Sequence, residues 1–306
     1  MKKLVYLLIL IMGIAACETI IDLDIQFDDK QMAVSAIFWD QRNPGDSTVC
    51  VWVSDVLHPL AKNTSRIILT DAEVSLFENG QFVENLQPII RYKQEYNWQN
   101  NQIDTIKFGY FKSHHPLTPG YSYKITANRP GKKEVTHFYI HPPRVIPTSV
   151  KLTNPEKGEV TITFDNPKGI QQFLVSLKSS TNRTEYFSSI DPHFQIFRSS
   201  NLDDSEDEPG APVVGRYGIL YDKNSQPRSQ QQFTFYIRDF DSQNLSNYSV
   251  EFGAVSESFP LYIASYLAFI NSENTLSTQP EVIYSNASKG LGISMGLNTG
   301  NYNIQP

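Results

Sequence analysis

From Gln31 to His141 apolar and polar positions alternate along the chain. The stretches "MAVSAIF" (32–38), "TVCVWVS" (48–54), "AEVSLFENGQFVENL" (72–86), "DTIKFGYF" (104–111), "YSYKITA" (121–127) and "VTHFYIH" (135–141) all follow a period of two or nearly so. That period sends one set of side chains to a core and the other to water, which is the pattern of half-buried β-strands. Asn79-Gly80 sits between two such runs and predicts a two-residue type I′ hairpin turn, whose central residues both need positive φ. Pro119-Gly120 predicts a type II turn. The polar stretch Lys93 to Asp104, "KQEYNWQNNQID", reads as a loop at one end of a sandwich, and its Tyr96 and Trp98 are the candidate ligand-binding residues. "HPPRVIP" (141–147) holds three prolines in seven residues and reads as a stiff connector, which places a boundary near 147.

Strand patterns resume beyond the connector in "SVKLTN", "GEVTITFDN", "QQFLVSLKSS", "QQFTFYIRDFD" and "YSVEFGAVS", interrupted by a polar, acidic stretch from Asn201 to Pro212. One segment breaks the period. Phe259, Ile263, Tyr266, Leu267 and Ile270 recur at helical spacing, Ser258 is placed to cap, and Pro260 falls in the first turn where proline is tolerated. A helix is expected over 259–271, too short to span a membrane. The closing "EVIYSNASKGLGISMGLN" reads as a strand, a turn with Gly290 and Gly292, and a final strand. The expected fold is all-β, with two β-sandwich (Ig/fibronectin-like) domains over 30–146 and 147–306, the second carrying one short helix.

The first residues follow a different logic. Lys2 and Lys3 precede an uncharged apolar run from Leu4 to Ile14, and Ile14, Ala15 and Ala16 lead directly into Cys17. The layout is that of a secretory signal over 1–16. Its I-A-A-C ending resembles the lipobox of bacterial lipoproteins, which implies acylation of the Cys17 thiol and removal of the peptide before it. Several acyl chains anchor a soluble domain stably, at roughly 0.8 kcal/mol per buried methylene. Glu18, Asp22, Asp24, Asp28 and Asp29 make 17–29 an acidic tether. These acids fit a solvated linker, and they also fit the sorting signal that goes with surface export in some Bacteroidota lipoproteins. Acylating Cys17 leaves Cys50 with no internal disulfide partner, and its alternating surroundings make it a small apolar residue.

Charge and composition narrow the partners. The chain has 26 Lys+Arg against 32 Asp+Glu, and loss of Lys2 and Lys3 leaves 24 against 32, a net charge of −8. An acidic surface excludes nucleic acid and electrostatic docking on anionic lipid as the expected partners, so attachment to the outer membrane falls to the lipid. The 16 Tyr, 18 Phe and 3 Trp favour β structure. Candidate chemistry is sparse. His137 and His141 share a strand face but stand ~13 Å apart at strand rise, too far for one metal. His114-His115 carries no sequence-adjacent acid and reads as solvent-facing. Asp203 to Glu208, "DDSEDE", is rich enough in carboxylates for calcium but lacks the spacing of an EF-hand loop, and reads as a solvated loop. Gly290-Leu291-Gly292 follows a strand, but no helix follows it, so it reads as a turn and not a phosphate cradle. No catalytic motif, metal site or cofactor is expected.

The ordered landmarks carry a family resemblance. Pro280 to Ile293, "PEVIYSNASKGLGI", together with the Cys17-to-Asp24 start, the Asp71–Gly80 strand and hairpin, the Leu117–Tyr123 turn and the Tyr248–Phe269 strand-then-helix, resembles the Bacteroidota lipoprotein family known as domain of unknown function 4249. Ser294 departs from it, where an aromatic is expected. The resemblance implies an outer-membrane lipoprotein, often encoded near TonB-dependent transporters, and implies no catalytic residues. The expected function is a lipid-anchored, surface-facing, non-catalytic binding or accessory subunit working with such a transporter in nutrient uptake. A secreted hydrolase acting on glycans and a structural or adhesion role are the alternatives.

Overall fold

Why the pattern of period two recurs so often becomes clear from the pairing of the strands. The computed structural model describes residues 30–40, 47–56, 69–97, 101–166, 170, 172–181, 183–197, 213–215, 217–222, 230–238, 240, 242–273 and 284–306. Cys17 and the rest of segment 1–29, Trp98, and the acidic segment 201–212 lie outside the described residues. The first half contains β1 (Met32–Asp40), β2 (Thr48–Asp55), β3 (Glu73–Glu78), β4 (Gln81–Asn85), β5 (Gln87–Asn97), β6 (Gln102–Ser113), β7 (Ser122–Asn128) and β8 (Val135–Ile140). The second contains β9 (Pro147–Asn154), β10 (Glu159–Phe164), β11 (Gln172–Ser179), β12 (Thr184–Glu185), β13 (Phe187–Ser189), β14 (Phe194–Ile196), β15 (Val213–Gly215), β16 (Tyr217–Tyr221), β17 (Gln231–Ile237), β18 (Tyr248–Val255), α1 (Ser258–Glu273) and β19 (Leu291–Asn303).

The fold is an all-β sandwich with one short helix. A ten-stranded sheet runs in the order β14-β16-β11-β18-β19-β1-β2-β6-β5, with β12 beside β11. Two smaller sheets, β4-β3-β7-β8 and β15-β13-β17-β10-β9, complete it. In β1 the even positions Met32, Val34, Ala36 and Phe38 are fully buried, while the residues between them are only partly covered. They join Val49, Val51, Val53, Phe111, Val74, Leu76, Tyr123 and Ile125 in a first core between the long sheet and the four-stranded sheet. Each such side chain contributes on the order of 1.5–3 kcal/mol by leaving water. A second core, rich in phenylalanine, lies between the long sheet and the five-stranded sheet. Phe164 stands 4.8 Å from Phe252 and 5.0 Å from Phe173, ring centre to ring centre, at tilts that suit aromatic pairs. The first core draws on residues from Met32 to Tyr139 and the second on residues from Val145 to Ile304, on either side of the proline connector.

Helix α1 covers part of the long sheet, packing Phe259 and Ile263 onto Leu174, Ile219 and Val255. Leu174 alternates with Phe173 and Val175, which belong to the second core, so β11 is buried on both faces. Ser258 opens the helix as expected, but its hydroxyl donates to the Ser294 carbonyl at 2.8 Å and so ties the helix to β19. The two predicted turns form. Asn79 and Gly80 have φ of 47° and 81°. Tyr121 N–H donates to the Thr118 carbonyl around Pro119-Gly120, with Gly120 at φ 80°.

The last strand belongs to both halves. β19 pairs in parallel with β1 from Ala33↔Leu291 to Asp40↔Asn298, and antiparallel with β18 from Ser249↔Asn303 to Val255↔Leu297. Two glycines allow this approach. A Cβ at Gly292, where φ is 126°, would lie 1.8 Å from the Val34 carbonyl oxygen, and one at Gly296 would lie 1.6 Å from the Tyr139 hydroxyl. Of the strand-turn-strand expected at the end, residues 281–283 lie outside the described residues. Residues 284–290 form no strand among those described, and Gly292 stands inside β19. Gly292→Ala therefore costs on the order of 3 kcal/mol through overpacking and backbone strain, whereas Gly131→Ala, at φ 80° with open space around it, costs about 1 kcal/mol. Chemical denaturation of the two variants checks the difference, and equal losses would refute the close-approach argument.

Candidate functional site

Two features stand out from this frame. The first is the hairpin of β5 and β6, whose register runs from Gln87↔Lys112 to Asn97↔Gln102. β2 flanks β6 only from Val49↔Ser113 to Val51↔Phe111. Outward from Gly109 the two strands form a ribbon with no neighbouring strand among the described residues. Residues 93–97 and 102–104, expected as loop, are therefore strand, because their backbone groups satisfy one another across the ribbon. Tyr96 lies opposite Ile103 near the tip, and its hydroxyl donates to Asn101 Oδ1 at 2.7 Å. Ile90, Tyr92, Tyr96 and Ile103 share one face and are 44, 69, 46 and 64% exposed. Trp98, the other predicted ligand residue, lies outside the described residues.

The second is a cleft of about 530 Å³ where the two halves meet. One wall is the end of β8 and the connector: Phe138, Ile140, His141 and Pro142. The other is Ile170, Gln172, Ser256, Glu257 and Ser258, with Tyr284, Asn286 and Ser294 at the base. Asn286 builds that base. Its amide accepts from Ser294 N–H and donates to Ser294 C=O, both at 2.7 Å, and so takes the place of a strand beside β19 beyond the end of β18. Asn286, which stands within the stretch that carries the resemblance, thus has an architectural role.

Behind His141 runs a buried polar chain. Tyr139 Oη and His141 Nδ1 are 2.9 Å apart, His141 Nε2 is 3.7 Å from Asp40 Oδ2, and Ser47 donates to Asp40 Oδ1 at 2.9 Å. Burial alone would raise the Asp40 carboxyl, but the contacts with His141 and Ser47 and the nearby Arg144 charge hold it below its ordinary value. Burial drives the Tyr139 hydroxyl far up, with Tyr123 and Asp40 adding to the effect. Such a tyrosine keeps its proton and has no nucleophilic use. The chain fixes the wall of the cleft. A second polar string crosses the same core. Tyr123 donates to Glu78 Oε1 at 2.6 Å and accepts from Thr118 N–H at 2.7 Å, while His115 Nε2 approaches Glu78 at 3.4 Å. His115, expected to face solvent without an acidic partner, is therefore half-buried against Glu78, which its sequence neighbours do not reveal. Burial also raises the Cys50 thiol, which suits an inert side chain.

His137 and His141 do share a face, and both point inward. The sequence signals for the cleft were weak. His141 to Pro143 reads only as a connector, and nothing local marks Phe138, Gln172 or Glu257 as neighbours. No family model matches the chain, and no curated protein matches it significantly.

Burial lowers the His137 pKa to about 4, because nearby Val34 backbone and the Asn286 amide only partly compensate a ring held away from water. Below pH ~6.5 the unfolded chain takes up a proton that the native state refuses until about 4, so stability falls as pH drops through that window. The loss is on the order of 3 kcal/mol at its foot. Denaturant melts across pH 7 to 4 measure it. His137→Gln removes most of that slope, and an unchanged slope would show that other groups govern it.

Proposed function

We propose that the protein is a lipid-anchored surface lipoprotein, held to the outer membrane through Cys17, that binds a partner or ligand without catalysing its conversion. It works as an accessory to a TonB-dependent transporter in nutrient uptake. The observation that carries the binding role is the β5–β6 ribbon. A two-stranded ribbon is marginally stable in water by itself. This one nevertheless presents Tyr92, Tyr96 and Ile103 on one open face, more than half of each of Tyr92 and Ile103 being accessible. Such a face gains by being covered. The anchor and the transporter partner rest on the Cys17 lipobox and on the ordered resemblance to the lipoprotein family. No specific observation favours the glycan-hydrolase reading, which needs two carboxylates across one cleft.

Purification of the native protein from detergent-solubilised membranes tests this reading. A TonB-dependent barrel is expected to accompany the native form. The Cys17→Ala form is expected in the soluble fraction without it. The triple variant Tyr92→Ser, Tyr96→Ser, Ile103→Ser is expected to stay membrane-bound and folded but to lose at least tenfold in barrel recovery. A lipidated native protein that emerges alone would overturn the accessory role.

A further inference from the structure

We propose that the junction cleft is a peptide-binding site in which an extended segment adds as a strand to the free edge of β8 and places a basic side chain against Glu257.

The two edges of β8 are separated by hydrogen-bond parity. Its neighbour β7 pairs antiparallel from Ser122↔Ile140 to Ala127↔Val135, and such a ladder uses alternate residues of each strand. Thr136 points its backbone away from β7 and is already met there. Its N–H donates to the Lys289 carbonyl at 2.9 Å, and its carbonyl accepts from Ser288 N–H at 3.0 Å. Lys289 thus makes an isolated antiparallel bridge on the outer edge of β8, the geometry that a further strand would continue. Phe138 and Ile140 have the same parity as Thr136. Along that edge the Phe138 carbonyl accepts from Ser294 Oγ at 3.3 Å. The Phe138 N–H and the Ile140 N–H and C=O meet no partner among the described residues, and they border the cleft. An open edge of this kind is a template for strand addition.

The rest of the cleft suits the same occupant. On the opposite wall Gln172 Oε1 is buried with no hydrogen-bond partner among the described residues, which leaves an acceptor unused beside the cleft. The neighbouring polar groups are already engaged. Ser256 accepts from Gly296 N–H, Ser258 donates to the Ser294 carbonyl, and Asn286 pairs with Ser294. Phe138 and Ile140, 61 and 68% exposed, flank the edge with apolar surface, and Ile170 and Val255 supply more within. A strand sends alternate side chains to opposite sides, so it would offer some to this apolar lining and others to solvent. Among the described lining residues Glu257 is the one carboxylate, and none of them is a lysine or arginine. This selects a cationic side chain in the occupant. The inference stands apart from the transporter assignment, since it concerns the isolated protein and a different part of its surface.

The test uses the purified mature chain and a pool of end-capped octapeptides of alternating valine and threonine with one lysine at varied positions, read by fluorescence anisotropy. The best member is expected to lose at least tenfold in affinity to Ile140→Pro, which removes an N–H from the free edge while leaving the β7 ladder intact. Methylating alternate amides of the peptide is expected to do the same. Glu257→Gln is expected to weaken binding severalfold and to abolish the preference for lysine. Gln172→Leu, away from β8, gives a second variant should Ile140→Pro fail to fold. A pool held no better by the native protein than by both edge and wall variants would overturn the proposal. So would binding indifferent to amide methylation, or sedimentation showing that the β8 edge pairs two copies of the chain instead.

Discussion

The parallel pairing of β19 with β1 is the contact on which the rest of this structure depends. It joins Ala33 to Leu291 and Asp40 to Asn298, nearly the full length of the described chain apart. Without it the long sheet separates between its first-half and second-half strands, and two edges lie open. Parallel pairs are somewhat weaker per residue than antiparallel ones, and closing so long a loop is entropically costly. The pairing survives because β19 is also held on its other side by β18 over seven ranks, and because buried side chains on β1 anchor that strand independently.

The same constraint explains the composition of the closing segment. A strand that must lie against β1 on one side and beneath Tyr139 on one face cannot carry bulk at Gly292 or Gly296. Where β18 ends, the exposed edge of β19 would leave the Ser294 N–H and C=O unpaired. The Asn286 amide and the Ser258 hydroxyl meet them instead. The chain then reaches the free edge of β8 through Ser288 and Lys289, and Lys289 adds an ion pair with Glu134 at 3.2 Å. Buried His137 sits inside this seam, beside the Val34 backbone and the Asn286 amide. The cleft is what remains where the seam stops.

Much of the fold was legible because burial on one face writes itself into alternate residues. The runs 32–38, 48–54, 121–127 and 135–141 all became strands, and Asn79-Gly80 and Pro119-Gly120 specified their turns through a positive φ. The helix from Ser258 was legible from Phe259, Ile263 and a tolerated Pro260. The ribbon at 93–97 and 102–104 was not, because Lys93, Gln94, Asn97 and Gln102 have poor strand propensity and are held by pairing across the ribbon, not by a core. The short strands β12 to β16 escaped for a related reason, having two to five residues each, too few to show a period. Of the candidate site residues, Tyr96 is where an exposed aromatic was expected, but on a ribbon and not a loop. The cleft was invisible, since Ile140, Gln172 and Glu257 become neighbours only through the pairing of β19.

One wall of the cleft comes from 138–142 and the other from 170–172 and 256–258, with a base from 284–294. A chain folding from its N-terminus can assemble the first core from β1 to β8 early, since all its members precede Pro147. Its β1 edge then stays unpaired until β19 arrives, and β8 keeps its outer edge open as well. Open edges of this kind invite pairing with other chains. Residues 284–303 pair with β1 from Ala33 to Asp40, and on the β8 edge they meet only Thr136 and the Phe138 carbonyl among the described residues. The edge that stays open in the finished molecule is the one lining the cleft. The opening at Phe138 and Ile140 is therefore a feature the completed fold retains after the same segment has sealed the positions beside it.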